Sequence, residues 1–314
     1  MRGRLFITVS MCLCMLTGCT KTNKLNEEHT EAPEDLFLNA DIDGQTVYDS
    51  QNIVIKAVSL SMNSPGGPSL RFSGENKTYN DRVVTIKNCS VNNIMIEPAF
   101  EMKINTQSEA EADAVFPGRL LLTADIKTFS GISFYLRIAD ASDSKNYVES
   151  DQYNMFTSMT GKYTQKFDFP GALIADDKGV SIKIGRIADP EAPLGKQIYI
   201  YTDNSTSSDI IVEAKDTKVN GIDMDPLFFT TVGAGKKSWA PLIFHDSDIV
   251  KNGVVSIDDL IISLRAISIY GVVIDTGACR VVFEQSKDIG PGGADSPARY
   301  LLFSAFSKFG CEII

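Results

Sequence analysis

The chain has 314 residues, with 40 acidic against 30 basic side chains and a formal charge of −10. That balance disfavours nucleic acid and anionic lipid surfaces as partners, since both need clustered Lys and Arg. An apolar fraction of 43% is ordinary for a globular protein, and the length accommodates two domains.

Met1-Arg2-Gly3-Arg4 and the apolar run Leu5 to Leu16 form the positive n-region and h-region of an export signal. The run is shorter than the roughly 20 residues a spanning helix needs. At its end, Leu16-Thr17-Gly18-Cys19 resembles the lipobox of bacterial lipoproteins. The resemblance implies cleavage between Gly18 and Cys19 and diacylglycerol on the Cys19 thiol. It also implies attachment by that lipid to the extracytoplasmic face of the cell membrane, and two acyl chains are about what stable anchoring requires. Loss of residues 1–18 removes Arg2 and Arg4 and no acid, which takes the formal charge from −10 to −12.

Residues 19–37 then read as the lipidated terminus and a polar, unpatterned tether that includes His29. Beyond it the sequence repeats itself at a spacing of about 128 residues. Asn76, Thr78 and Asp81 line up with Asn204, Thr206 and Asp209. Without a gap, Val91-Asn92-Asn93-Ile94 falls on Val219-Asn220-Gly221-Ile222, Phe116 on Phe244, and Leu136-Arg137 on Leu264-Arg265. The opening residues Ile53, Ile55 and Lys56 match Val180, Ile182 and Lys183 at one residue less. The first copy carries an insertion near 140–155. The expected organisation is therefore a module at 38–168, a second at 169–284, and a tail at 285–314. The tail is either a strand added to the second module or the start of a vestigial third copy.

Within each copy, short apolar runs such as Val83–Ile86, Ser133–Ile138, Ile198–Tyr201 and Ile210–Val212 are bounded by Asn, Asp, Gly and Ser clusters. Asn220-Gly221 is a two-residue hairpin signal, because a type I′ turn needs positive φ at both positions. No long stretch has helical period; a helical turn is open only around Ile257–Leu260. Short strands at this spacing predict an all-β fold of two tandem β-sandwiches. The arrangement resembles the immunoglobulin-like modules of Gram-positive surface lipoproteins, a resemblance that implies display rather than an assigned activity. Trp239, the single tryptophan, reads either as sheet packing or as an exposed contact for a partner.

Catalytic signatures are sparse. His29 and His245 are the two histidines, so a Ser-His-Asp site would require His245, which follows a strand in Phe244-His245-Asp246-Ser247-Asp248. Asp223/Asp225 and Asp246/Asp248 are loop carboxylates of the type that binds Ca²⁺, but their counterparts Met95 and Gly118 share no such site. No cofactor or metal is expected. The sequons at Asn76, Asn88 and Asn204 read as turn residues behind a lipobox. Outside the cytoplasm Cys279 and Cys311 are the pair open to a disulfide, with free buried thiols as the alternative.

These readings converge on a lipid-anchored envelope protein that acts without catalysis, binding another envelope protein, a glycan or a small ligand through its loops. Those loops include the insertion and Ser64–Pro68. The reading of a different class is an envelope hydrolase or metal-dependent enzyme with an acidic site between the modules.

Overall fold

In the computed structural model, residues 36–166, 168–169, 171–185, 196–283 and 310–313 are described. Gly18, Cys19, the tether up to residue 35 and most of 285–314 lie outside them. The fold is all-β, of sandwich type. The first copy contributes β1 (Gln45–Ser50), β2 (Ile53–Ser61), β3 (Ser69–Asn76), β4 (Arg82–Val91), β5 (Ile94–Met95), β6 (Met102–Ile104), β7 (Ser108–Val115), β8 (Gly131–Asp140), β9 (Tyr147–Glu149) and β10 (Tyr153–Phe156). A short helix, α1 (Gly118–Thr123), follows β7.

The second copy repeats the series. It has β11 (Ala172–Asp177), β12 (Val180–Gly185), β13 (Lys196–Asn204), β14 (Ile210–Val219), β15 (Ile222–Asp223), β16 (Phe229–Val232), β17 (Lys236–Phe244), α2 (Asp246–Lys251), β18 (Asp259–Ser268) and β19 (Gly271–Val282). The pairings repeat as well: β1-β2-β3-β7 matches β11-β12-β13-β17, and β4 takes β5, β6 and β8 as β14 takes β15, β16 and β18. Residues 140–155 account for the difference between copies. There β9 folds back on β8 before β10 resumes the pairing, where the second copy has the single strand β19. A last strand, β20 (Gly310–Ile313), adds antiparallel to β19.

Local sequence explains the shared irregularities. Asn92 and Asn93 (φ 52° and 67°) and Asn220 and Gly221 (φ 50° and 82°) make the two tight hairpins, with the positive angles a type I′ turn demands. Asn88 (φ 48°) and Asp216 (φ 46°) sit where β4 and β14 slip register against β8 and β18, each the left-handed residue of a bulge. The helices were not anticipated, because six residues cannot display a helical period. Pro117 and His245 enter them in extended conformation.

Alternation divides the side chains between two cores. Phe72 and Phe134 meet edge to face at 5.7 Å, and Phe116 and Phe129 at 5.0 Å, inside the first. Ile182, Ile200, Leu242, Ile262 and Leu264 fill the second. Of the two readings of Cys279, a disulfide to Cys311 or a free buried thiol, the structure has the second. Cys279 is a free, buried thiol, and the register sets it opposite Ile313 while Cys311 stands opposite Val281. Diagonal positions on paired strands have α-carbons about 7–8 Å apart, beyond the roughly 4.4–6.8 Å that a disulfide spans.

Candidate functional surface

The polar residues repeated between the copies are spent on holding loops. Asn76 is fully buried; its amide donates to the carbonyls of Asn80, Ile104 and Asn105, and its oxygen accepts from the amide and hydroxyl of Thr78. Asn204 repeats every contact with Ser208, Val232, Gly233 and Thr206. Asp81 accepts the Thr106 amide as Asp209 accepts that of Ala234. Asn92 and Asn220 likewise bind the backbone just before β8 and β18. The Asn-x-Thr segments are therefore structural staples. The Ser64–Pro68 loop is also fastened: the Gly118 amide donates to Gly66 at 3.1 Å, and a β-carbon at Gly67 would lie 2.2 Å from the Phe116 carbonyl oxygen.

Between the modules lies a seam. Successive residues of β13 serve different cores, Ile198 and Ile200 the second, Tyr199 and Tyr201 the first. Trp239 stacks on Tyr199 with ring centroids 4.6 Å apart, and Phe169 stacks on Tyr201 at 5.6 Å. With 6% of its surface exposed, Trp239 is not the partner anchor that was one reading of the sequence. Its partner is the first module. The signal was present in the repeat, because Tyr199, Tyr201 and Trp239 align with Arg71, Ser73 and Glu111. Aromatic in one copy and polar in the other, at the same outward positions, is the mark of a face covered once.

Backbone pairing joins the seam. Ile94 of β5 stands parallel to Lys237 of β17, whose amide donates to the Asn93 carbonyl at 2.8 Å. One ten-stranded sheet thereby runs from β10 through β8, β4 and β5 into β17, β13, β12 and β11, with β6 and β9 attached to β4 and β8. Lys236 reaches the Asn93 side-chain oxygen at 2.9 Å, and its ammonium is held below the usual lysine range by desolvation. Burial pushes the Cys89 thiol well up. It also raises Glu97, although its carboxylate accepts the Cys89 amide at 2.9 Å. Lys237 pairs with Asp203 at 2.7 Å, and that bond raises the lysine.

Among the described residues nothing covers the equivalent face of the first module. On it an uncovered concavity of about 350 Å³ is lined by Val54, Lys56, Ser73, Glu75, Glu109 and Glu111 among others. The ion pair Asp203–Lys237 is replaced here by Glu75 directly opposite Glu109, a like-charge pair that costs stability. Glu75 is met by Lys77 at 3.0 Å, and Arg71 holds Asp113 through two hydrogen bonds, at 2.8 and 2.9 Å, that depress its carboxyl. Among the described residues Glu109 and Glu111 form no ion pair.

His245 is exposed at the start of α2, with Asp246 and Asp248 in the first turn. Asp223 is paired with Lys218 at 2.8 Å. No group of three or more His, Cys, Asp or Glu positioned for a metal ion occurs among the described residues.

No protein-family model matches the chain, and no curated protein matches it. Among solved structures it is similar to the YadV chaperone, at 12% identity over 73% of this chain and 100% of that one, with a TM-score of 0.23. A protein of unknown function from Porphyromonas gingivalis W83 is similar at 9% identity over 67% and 88%, with a TM-score of 0.17. A structure concerned with host cell surface retention of a 1.5-MDa bacterial ice-binding adhesin is similar at 11% over 66% and 54%, also at 0.17. Likenesses this distant have no bearing on what the chain binds.

Proposed function

We propose that the protein is a lipid-anchored component of a bacterial cell envelope that works by contact rather than by catalysis. Diacylglycerol on Cys19 holds it to the extracytoplasmic face, the polar tether spaces it from the lipid, and the paired sandwiches present a binding or supporting surface. The observation that carries this reading is the divergence of one duplicated face. In the second module it is aromatic and covered by the first; in the first module it is polar, and nothing among the described residues covers it. The polar positions the copies share, by contrast, are consumed in loop geometry.

The anchor is tested by Cys19→Ser in cells fed labelled palmitate. The wild-type chain is expected to carry label and sediment with membranes, and the variant to lose both properties. Undiminished labelling of the variant would remove Cys19 from the proposal.

A further inference from the structure

The two copies allow one module to be used as a guide to the other. In the second, the outward edge of β17 is a working acceptor. Its N-terminal part pairs in parallel with β5, and its C-terminal part bridges to Leu227. The first-copy counterpart, β7, keeps only the second contact, Val115 with Ala99 (2.9 and 3.0 Å). Strand parity then fixes what the rest of that edge offers. Val115 donates outward, so the amides and carbonyls of Glu109, Glu111 and Asp113 also point off the sheet. Among the described residues no strand pairs with them. The side chains of the same three residues are exposed, and Glu109 and Glu111 line the concavity beside the edge.

We propose that the free edge of β7 receives an extended segment of a partner protein bearing lysine or arginine at alternate positions. Addition of a strand supplies main-chain hydrogen bonds, and alternate side chains supply specificity. A segment paired along Ser108–Ala114 lays every second side chain over the outer face, where Glu109 and Glu111 share the concavity with Lys56, and Glu111 has Arg71 nearby, yet neither glutamate forms an ion pair among the described residues. The seam shows the main-chain half of this device within the chain: at the position of β17 that corresponds to Glu109, Lys237 donates its amide to the Asn93 carbonyl beside β5. A second copy of the protein does not suit this edge. Its own β15 end carries two exposed acids, Asp223, which Lys218 already pairs, and Asp225, and so offers Glu109 and Glu111 no free cation in β15. Exposed charge on an edge also serves to keep strands apart, and the experiment must separate that role from recognition.

The inference rests on the contact reading above but not on the lipid. The probe is a fluorescent, end-blocked nonapeptide of alternating Lys and Thr, titrated into the full chain in mild detergent. The control peptide has the same charges but N-methylated amides at alternate positions. The expected result is saturable binding of the first peptide only, with slowed amide exchange at Glu109, Glu111 and Asp113. The double substitution Glu109→Gln/Glu111→Gln is expected to weaken binding roughly tenfold. Equal binding of both peptides, unchanged binding by the double variant, or no binding would each overturn the proposal. Retained fatty-acid labelling in the same preparation would leave the anchor standing.

Discussion

Replacing Asn204 by alanine removes a side chain that no solvent reaches and that holds two loops together. Its amide spans the carbonyls of Ser208, Val232 and Gly233 at 2.9 to 3.0 Å, and its oxygen takes the Thr206 amide and hydroxyl at 3.1 and 2.7 Å. A buried polar group left unpaired costs about 1–3 kcal/mol. The bond to the Val232 carbonyl is buried and the other four are partly so, so Asn204→Ala should cost about 3 kcal/mol. Asn76 makes the same five contacts, so Asn76→Ala should cost the same within about 1 kcal/mol, a spread typical of context. Asn204→Asp is the sharper probe, because a carboxylate would face three carbonyls with no hydrogen to offer. Its folded-state pKa would then lie above the unfolded value of about 3.9. The aspartate variant should therefore be more stable below that value and lose stability as pH rises through the folded pKa. Urea unfolding of the full chain, followed by circular dichroism at several pH values, measures all three. A loss below about 1 kcal/mol for Asn204→Ala would refute the staple, since that is the worth of one ordinary hydrogen bond.

Other outcomes follow from the seam and the open face. Trp239 should emit at short wavelength in the native chain, and Ile94→Asp, which places a charge beside the β5–β17 pairing, should shift that emission to the red before the chain unfolds; an unshifted spectrum would mean the seam does not shield the indole. Glu109→Lys recreates in the first module the Asp203–Lys237 pair of the second. It should raise stability by about 0.5 kcal/mol, as cross-strand pairs of opposite charge do, while abolishing capture of the Lys/Thr peptide. A destabilised Glu109→Lys chain would show that the like-charge pair is not a cost.

What could be read in advance was what local chemistry dictates. Asn220-Gly221 announces its turn within two residues, and Asn76 with Thr78 closes its loop within five. The β-branched runs Val83–Ile86 and Ile210–Val212 became strands because alternation is visible in a short window. The helices α1 and α2 were hidden by their brevity. The seam was hidden by distance, since Trp239 stacks on a residue 40 positions earlier in β13 and pairs beside one from the other module. A boundary drawn at 168/169 also parts neighbours: Phe169 belongs to the first core, yet stacks on Tyr201 of the second copy. Single-residue reading made Trp239 ambiguous, whereas comparing it with Glu111 would have resolved it.

The unequal faces of the two modules also set an order of assembly. The proposed export signal at the N-terminus delivers the first module across the membrane first, and domains generally fold as units, the N-terminal one before the other. Its outer face, with Arg71, Ser73 and Glu111, needs no cover and can wait in water alone. The second module exposes Tyr199, Tyr201 and Trp239 until β5 is there to receive β17, so it arrives to a template already built. With the two copies exchanged along the chain, the aromatic face would be made before its cover existed. The direction in which the chain emerges and the placement of the aromatic side chains thus agree, and the duplicate that depends on its neighbour is the one that arrives second.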